Sequence, residues 1–165
     1  MNRHSEPEML KVRAATVADA DTISSLNDEV QNVHAEALPH LFKSASRETF
    51  AAKEVTEILT RPDNHIFLAY FDEEPAGYIY CEIRRREESP AMHARDQVYI
   101  LHVSVNRSHQ RKGVATALFS AVTVLAKDVG IRRLGLDVWS FNADATAFFE
   151  REGFEIARHI MVKNL

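Results

Sequence analysis

The sequence has a single cysteine, only five glycines and five prolines, and no long apolar run. One cysteine cannot form an internal disulfide, which favours a reducing compartment. The chain has too little glycine and proline for a disordered linker. No segment approaches the roughly 18 apolar residues of a membrane span, and the polar, acidic N-terminus lacks the pattern of a signal peptide. These absences predict a cytoplasmic protein that does not bind membranes.

The remaining composition is that of a soluble globular chain. Its 165 residues are 45% hydrophobic and 27% charged, which suits one domain with one sizeable core. We expect this domain at residues 9–165, after a flexible tail at residues 1–8. The net charge of −4 argues against a nucleic-acid partner, since binding to phosphates needs a basic excess. The eight histidines form no metal-ligand pattern such as H-E-x-x-H, so no metal site is predicted.

Apolar periodicity predicts an α/β (α+β) order of one strand, two helices, three strands, and then helix, strand, helix, strand. The acidic segment at residues 72–75 is typical of a turn and indicates an antiparallel hairpin. Strands are predicted at 10–14, 65–71, 76–83, 98–105 and 134–138, with a final strand between Phe154 and residue 163. Helices are predicted from Thr16 to Pro39, from Ser46 to Arg61, from Gly113 onward and from Asn142 onward.

A basic loop separates the strand at 98–105 from the helix that begins near Gly113. The first amides of a helix have no intrahelical acceptor, and the helix dipole places about half a positive charge beside them. The glycine would let a ligand approach the backbone closely. Together with the cationic side chains of Arg107, Arg111 and Lys112, these features predict a site for a phosphate or pyrophosphate group.

The spacing of this loop, Gln110-x-x-Gly113-x-Ala115, resembles the acyl-CoA pyrophosphate loop of the GNAT superfamily of N-acetyltransferases. A second block at residues 134–154 is also similar to the family: a short strand, a helix with the order Asn, Ala, aromatic, and a closing Gly-Phe. The resemblance covers residues 97–163. It implies a mixed, mostly antiparallel central sheet with flanking helices and one splayed strand pair, and transfer of acetyl from acetyl-CoA to an amine.

By this resemblance, acetyl-CoA lies where the fourth and fifth strands separate. The backbone of Val103 and Val105 would bind the pantetheine arm, while their side chains serve the core. Asn142 would meet the pantetheine region and also suits the N-cap of its helix. The predicted cofactor contacts are Val103, Ser104, Val105, Gln110, Arg111, Lys112, Gly113, Val114, Ala115, Thr116, Asn142 and Phe149.

The residues expected to carry the chemistry depart from the family pattern in two places. Phe149 stands where the family often has a tyrosine that protonates the leaving sulfur. The fourth strand has no glutamate to act as base. His102 is the best substitute, because an imidazole with a pKa near 6.5 suits proton transfer at neutral pH. Tyr99 is the second candidate, although strict alternation places it on the opposite sheet face from His102 unless a bulge intervenes.

The resemblance also places the acceptor pocket between the first two helices, their connection and the loop after the third strand, at residues 34–50 and 84–95. Glu29 and His34 are candidates for binding a cationic amine, and the family favours a homodimer. A non-catalytic acyl-CoA-binding regulatory module is the alternative, since the usual tyrosine and glutamate are missing. A nucleotide-binding protein of another α/β type is disfavoured, because neither G-x-x-x-x-G-K-[ST] nor G-x-G-x-x-G occurs.

Overall fold

The computed structural model describes residues 9–165, so the tail expected at residues 1–8 lies outside the described residues. None of the described helices is both long and apolar enough to cross a bilayer. In chain order the elements are β1 (Leu10–Ala14), α1 (Ala20–Ala37), α2 (Ala52–Leu59), β2 (Asn64–Phe71), β3 (Glu74–Arg86), β4 (Arg95–Val105), α3 (Val114–Asp128), β5 (Leu134–Leu136) and α4 (Ala143–Arg151).

The five strands form one mixed sheet in the order β1-β2-β3-β4-β5. The first four strands are antiparallel to their neighbours, whereas β5 pairs with β4 in parallel. Asp72 and Glu73 connect β2 to β3 with positive φ angles of 49° and 69°. Such angles match the right-handed twist of two paired strands, so the hairpin expected from the acidic turn is confirmed. The predicted α+β class with a mostly antiparallel sheet is confirmed as well.

Each face of the sheet has its own apolar core. On one face, Ile79, Cys81, Val98 and Ile100 pack with the apolar side of α3, and the aromatic residues of α4 extend this cluster. On the other face, Tyr78 and other residues of β2 and β3 pack with α1 and α2. The sheet is therefore covered by helices on both sides, and β4 lies between the two cores.

The start of α1 is held by an ion pair. The guanidinium of Arg13 donates hydrogen bonds of 2.8 and 2.7 Å to the two carboxylate oxygens of Asp19, and the backbone N–H of Thr16 donates to the same carboxylate at 2.8 Å. Arg13 is the main reason that the pKa of the Asp19 carboxyl lies well below its usual range. The cap predicted from Thr16 and Asp19 is confirmed, although a single 3₁₀ turn precedes the helix proper.

Three of the predicted elements differ most from the sequence expectation. The second helix begins at Ala52 rather than near Ser46, because Ser46 and Thr49 close a turn on each other through hydrogen bonds. The strand expected at 134–138 ends at Leu136. The final strand expected after Phe154 does not form: residues 155–165 have no ladder partner, and all of them are exposed to solvent. A strand requires a partner for its N–H and C=O groups, which apolar pattern alone does not supply.

Candidate active site

A cleft opens where β4 and β5 part. The two strands pair in parallel through Val98–Leu134, Tyr99–Gly135 and Ile100–Leu136, and then the ladder stops. Beyond this point β5 has ended and β4 contains a bulge, since Tyr80 opposes His102 while Cys81 opposes Ile100. The cleft has a volume of about 360 Å³ and is lined on these two sides by residues 100–103 and 136–139. The splayed strand pair expected from the sequence is therefore present.

The bulge changes which side chains share a face. Val98 and Ile100 belong to the α3 core, and so do Val103 and Val105 after the bulge. The extra residue, Leu101, shifts the alternation by one position, so that His102 turns toward α1 and α2, where its ring lies 4.7 Å from that of Phe50. Strict alternation is thus wrong for this strand. Tyr99 and His102 lie on the same face.

His102 lies in the cleft at the end of a buried hydrogen-bond chain. The Tyr78 hydroxyl donates to Asn27 Oδ1 at 2.8 Å and lies 3.1 Å from His102 Nδ1. A phenol has one proton, and here it points to Asn27, so His102 Nδ1 carries the imidazole proton and donates it to Tyr78. The other ring nitrogen, Nε2, is then the free acceptor. Asn27 and Tyr78 thereby fix the histidine tautomer.

Burial, and to a smaller extent the neighbouring His34, lowers the pKa of His102 to about 4. The imidazole is therefore neutral at pH 7, with an available lone pair. A neutral imidazole can accept a proton from a donor that becomes acidic during a reaction, or it can orient a water molecule. Its own protonation would require a pH far below the physiological range.

Tyr99 is less suited to proton abstraction. It does not line the cleft. The Arg84 guanidinium carbon lies 3.6 Å from the centre of its ring. Burial and the carboxylate of Asp137 raise the pKa of Tyr99 to about 12. The phenol consequently stays protonated at neutral pH and is not available as a base.

The basic loop leads from β4 into α3. The helix begins at Val114, one residue later than expected, with Gly113 as its N-cap at φ 80° and no side-chain cap among the described residues. A Cβ at Gly113 would meet nothing within 4 Å, so the backbone there is open. Arg111 and Lys112 are exposed, and Arg111 has a positive φ of 63°. The start of α3 is thus open at Gly113 and lies beside two exposed cations.

Most other side chains of the loop are engaged within the protein. Gln110 Nε2 donates to the carbonyl of Val105 at 3.3 Å, and Val114 is buried in the α3 core. The hydroxyl of Thr116 donates to Glu152 at 3.2 Å, while Ala115 is half-buried. Any contact of these four residues with an anion would therefore come mainly from their backbone amides.

On β4, Ser104 is only 2% exposed, and its hydroxyl donates to the carbonyl of Leu26 at 2.5 Å. Its side chain anchors α1 to the sheet and faces away from the α3 core. The side chains of Val103 and Val105 pack partly buried in that core, as expected. The backbone of β4 past the bulge has no β5 residue opposite it.

α4 contributes Asn142 and Phe149 to the cleft. The Asn142 side chain accepts a hydrogen bond of 3.1 Å from the backbone N–H of Ala145, which makes it the N-cap of α4. Phe149 is half-buried, with its ring 5.8 Å from Phe119 and 6.0 Å from Phe154. Asn142 thus combines a capping role with a position in the cleft.

The two residues of α1 that were expected to bind the acceptor, His34 and Glu29, lie in different places. His34 lines the cleft, and its Nδ1 lies 2.6 Å from the carbonyl of Val30. Glu29 lies outside the cleft, with its carboxylate 3.9 Å from the guanidinium of Arg107. The loop at residues 84–95 does not line the cleft, and residues 137–139 and 142 lie there instead.

Sequence reasoning missed four residues of the site, which come from three separate parts of the chain: Asn27, Tyr78, Asp137 and Trp139. Phe42 falls within the range 34–50 that was expected to form the acceptor pocket. One signal was available. Asn27, Val30, Gln31 and His34 recur at helical spacing and form the α1 wall of the cleft. Nothing local in the sequence links the others, because the sheet and the loops bring them together.

Comparison with known proteins identifies the class to which this fold and cleft belong. The pattern of the Acetyltransferase (GNAT) family matches residues 28–154. The chain therefore belongs to this acetyltransferase family. A curated relative, the uncharacterized N-acetyltransferase YycN of Bacillus subtilis (strain 168), is 26% identical over 133 residues and is matched over 78% of each chain.

Solved structures share the fold. A tetramutant of the BH1408 protein of Bacillus halodurans superposes with a TM-score of 0.88 at 22% identity, covering 94% of this chain and 99% of that one. The aminoglycoside N-acetyltransferase AAC(6')-Iy, solved in complex with CoA, gives a TM-score of 0.72 at 17% identity, covering 98% and 97%. At these identities the likeness concerns the fold.

Proposed function

We propose that this chain is an acetyl-CoA-dependent N-acetyltransferase that transfers acetyl directly to an amine acceptor in a ternary complex. The observation that carries the proposal is the cleft between β4 and β5, whose β4 side leads straight into the uncapped, cationic start of α3. A pantetheine arm fits the unpaired strand backbone, and a pyrophosphate fits the helix amides. The CoA complex of the similarly folded AAC(6')-Iy supports this use of the cleft.

The reaction requires two proton movements. The acceptor begins as an ammonium and loses one proton before its nitrogen attacks the thioester carbonyl. A C–N bond then forms, the C–S bond breaks, and the nitrogen gives up a second proton while the thiolate gains one. A backbone N–H on the separated part of β4 can polarise the carbonyl during attack.

His102 is proposed to receive the second proton, which the nitrogen gives up as the C–N bond forms, or to hold the water that receives it. Its Nε2 is the free acceptor of the ring, because Tyr78 and Asn27 occupy the Nδ1 side. Tyr78 and Asn27 are positioning residues, since they act on the reaction only through His102. Phe149 has no proton to give, so the thiolate takes its proton from solvent or from another donor while the phenyl ring packs near the sulfur end.

Direct transfer is favoured over an acetylated enzyme intermediate. Cys81 is the only thiol of the chain, and it lies fully buried in the α3 core. Burial raises the pKa of its thiol to about 12, so almost none is thiolate at neutral pH. The thiolate is the nucleophilic form of cysteine, which makes a covalent relay through Cys81 unfavourable.

We further propose that residues 9–165 form one acetyltransferase domain, that the protein is cytoplasmic and that it forms a homodimer. Support for the dimer comes from residues 155–165, where Ile156, Ile160, Met161 and Val162 are exposed. Contiguous exposed apolar side chains are typical of interaction surfaces. No metal is proposed, and residues 9–165 contain no group of three side chains arranged to bind one.

The test is release of free CoA thiol from acetyl-CoA with a panel of amines. Acceptor-dependent release supports the enzyme. Binding of acetyl-CoA without release for any amine supports the second candidate, an acyl-CoA-binding regulatory module, which Phe149 and the lack of a carboxylate at the His102 position favour. Preferential binding of ATP or NAD would contradict both.

The positioning role has its own test. Tyr78→Phe keeps the ring in its buried site and removes the hydroxyl beside His102. We expect kcat to fall with unchanged affinity for acetyl-CoA. When Tyr78→Phe is added to His102→Ala, it should cause little further loss, because Tyr78 acts only through His102. Independent, multiplicative losses would show that Tyr78 does not act through His102.

A further inference from the structure

The far end of the cleft is built from aromatic rings. The Phe42 ring lies 5.0 Å from that of His34 and meets Trp139 edge to face at 5.3 Å. The His34 ring also lies 5.7 Å from that of Phe141, which supports this group without lining the cleft itself. These residues come from α1, from the connection between α1 and α2, and from the segment between β5 and α4. We call this group, His34, Phe42, Trp139 and Phe141, the aromatic wall.

The aromatic wall is partly open to solvent. Trp139 is 44% exposed, and it lines the cleft together with Phe42 and His34. An indole left open within a concave site offers a large, rigid surface to a flat apolar ligand group.

The charge of the cleft favours an acceptor with few positive charges. Of the described residues that line it, Asp137 is the only carboxylate, and none is lysine or arginine. Glu29, the other acid expected near the acceptor, lies outside the cleft beside Arg107. The carboxylate of Asp137 also lies 4.0 Å from the guanidinium of Arg158. A polycationic acceptor such as an aminoglycoside would therefore leave several ammonium groups without a carboxylate, whereas a monoamine brings at most one ammonium to this site.

We propose that the acceptor is a monoamine attached to an aromatic or similarly flat apolar group, with that group against Phe42 and Trp139 and the amine on the His102 side. This inference rests on the proposed function, because it names the substrate class of the same site. It sets this chain apart from AAC(6')-Iy, whose name states an aminoglycoside acceptor.

The chain offers a direct probe, because Trp139 is its only tryptophan. Titration of the CoA-bound protein with 2-phenylethylamine should change the indole fluorescence saturably. n-Butylamine, which has the ammonium but no ring, should bind with at least about tenfold lower affinity in the same titration, since it lacks the ring contact. Phe42→Ala should weaken phenylethylamine binding by about tenfold and leave CoA affinity unchanged.

Turnover supplies the second measurement. With acetyl-CoA, kcat/KM should be at least about tenfold higher for 2-phenylethylamine than for n-butylamine, spermidine or kanamycin. Trp139→Ala should remove this preference, and Trp139→Phe, which keeps a ring, should restore most of it. If kanamycin or spermidine is used as well as phenylethylamine, or if Trp139→Ala keeps the preference, the inference is wrong.

The two measurements separate this inference from the proposed function. Fluorescence binding of phenylethylamine without transfer to any amine would keep the ligand class and reject the enzyme. Transfer to ring-free amines with no fluorescence response to phenylethylamine would keep the enzyme and reject the aromatic acceptor.

Discussion

Acidification should destabilise the protein through His102. The pKa of this imidazole is about 4 in the folded chain and 6.5 in its ordinary state. Between these values the unfolded chain binds a proton that the folded chain does not. The free energy of unfolding is therefore highest above pH 6.5 and decreases as pH falls toward 4. By linkage the loss is about 2 kcal/mol on going from pH 7.5 to pH 5, and about 3 kcal/mol by pH 4.

The measurement is the free energy of unfolding in urea at several pH values, for wild type and His102→Gln. Glutamine cannot take up the proton, so the variant should lose about 2 kcal/mol less than wild type between pH 7.5 and pH 5. Subtracting one curve from the other removes the contributions of other titrating groups. His65 is one of them, because burial also lowers its pKa. His93→Gln is the matched control, because the His93 side chain is 99% exposed.

Parallel pH curves for wild type and His102→Gln would refute the reasoning. They would mean that His102 is hydrated in solution, with an ordinary pKa. The proposal of a neutral imidazole with a fixed tautomer would then be wrong, and so would the expected effect of pH on stability. A difference seen equally in His93→Gln would also contradict it, since that site has no burial to explain one.

Four further outcomes are expected. Gly113→Glu should weaken acetyl-CoA binding by at least about 1 kcal/mol more than Gly113→Gln in calorimetry, because both strain the same positive φ and only glutamate repels phosphate. Equal affinities would refute the phosphate loop. His102→Ala should lower kcat by about 100-fold with unchanged acetyl-CoA affinity, and wild-type kcat across pH 6 to 9 would make His102 structural. Phe149→Tyr should keep cofactor affinity and raise kcat, whereas Phe149→Ala should cost about 2 kcal/mol of stability because the ring is half-buried. Loss of binding in Phe149→Tyr would rule out its place beside the thioester. Ile160→Lys should shift the protein from dimer to monomer in sedimentation analysis, and a monomeric wild type would contradict the dimer.

The sequence by itself determined the features that depend on local pattern. The hairpin at Asp72 and Glu73, the cap from Thr16 to Asp19 and the helix start at Gly113 each follow from residues a few positions apart, whose backbone preferences act locally. The alternation of apolar residues likewise identified the five strands of the sheet. It also predicted a sixth strand after Phe154, which failed because pattern cannot supply a partner ladder.

Only the tertiary structure decided the site. The bulge at Leu101 depends on how β3 and β4 align, and it places His102 on the face of Tyr78 and Asn27. The aromatic wall likewise joins side chains more than 90 residues apart, such as Phe42 and Trp139. Such contacts arise when separate elements pack, and burial then sets the pKa of His102, so no local pattern encodes them.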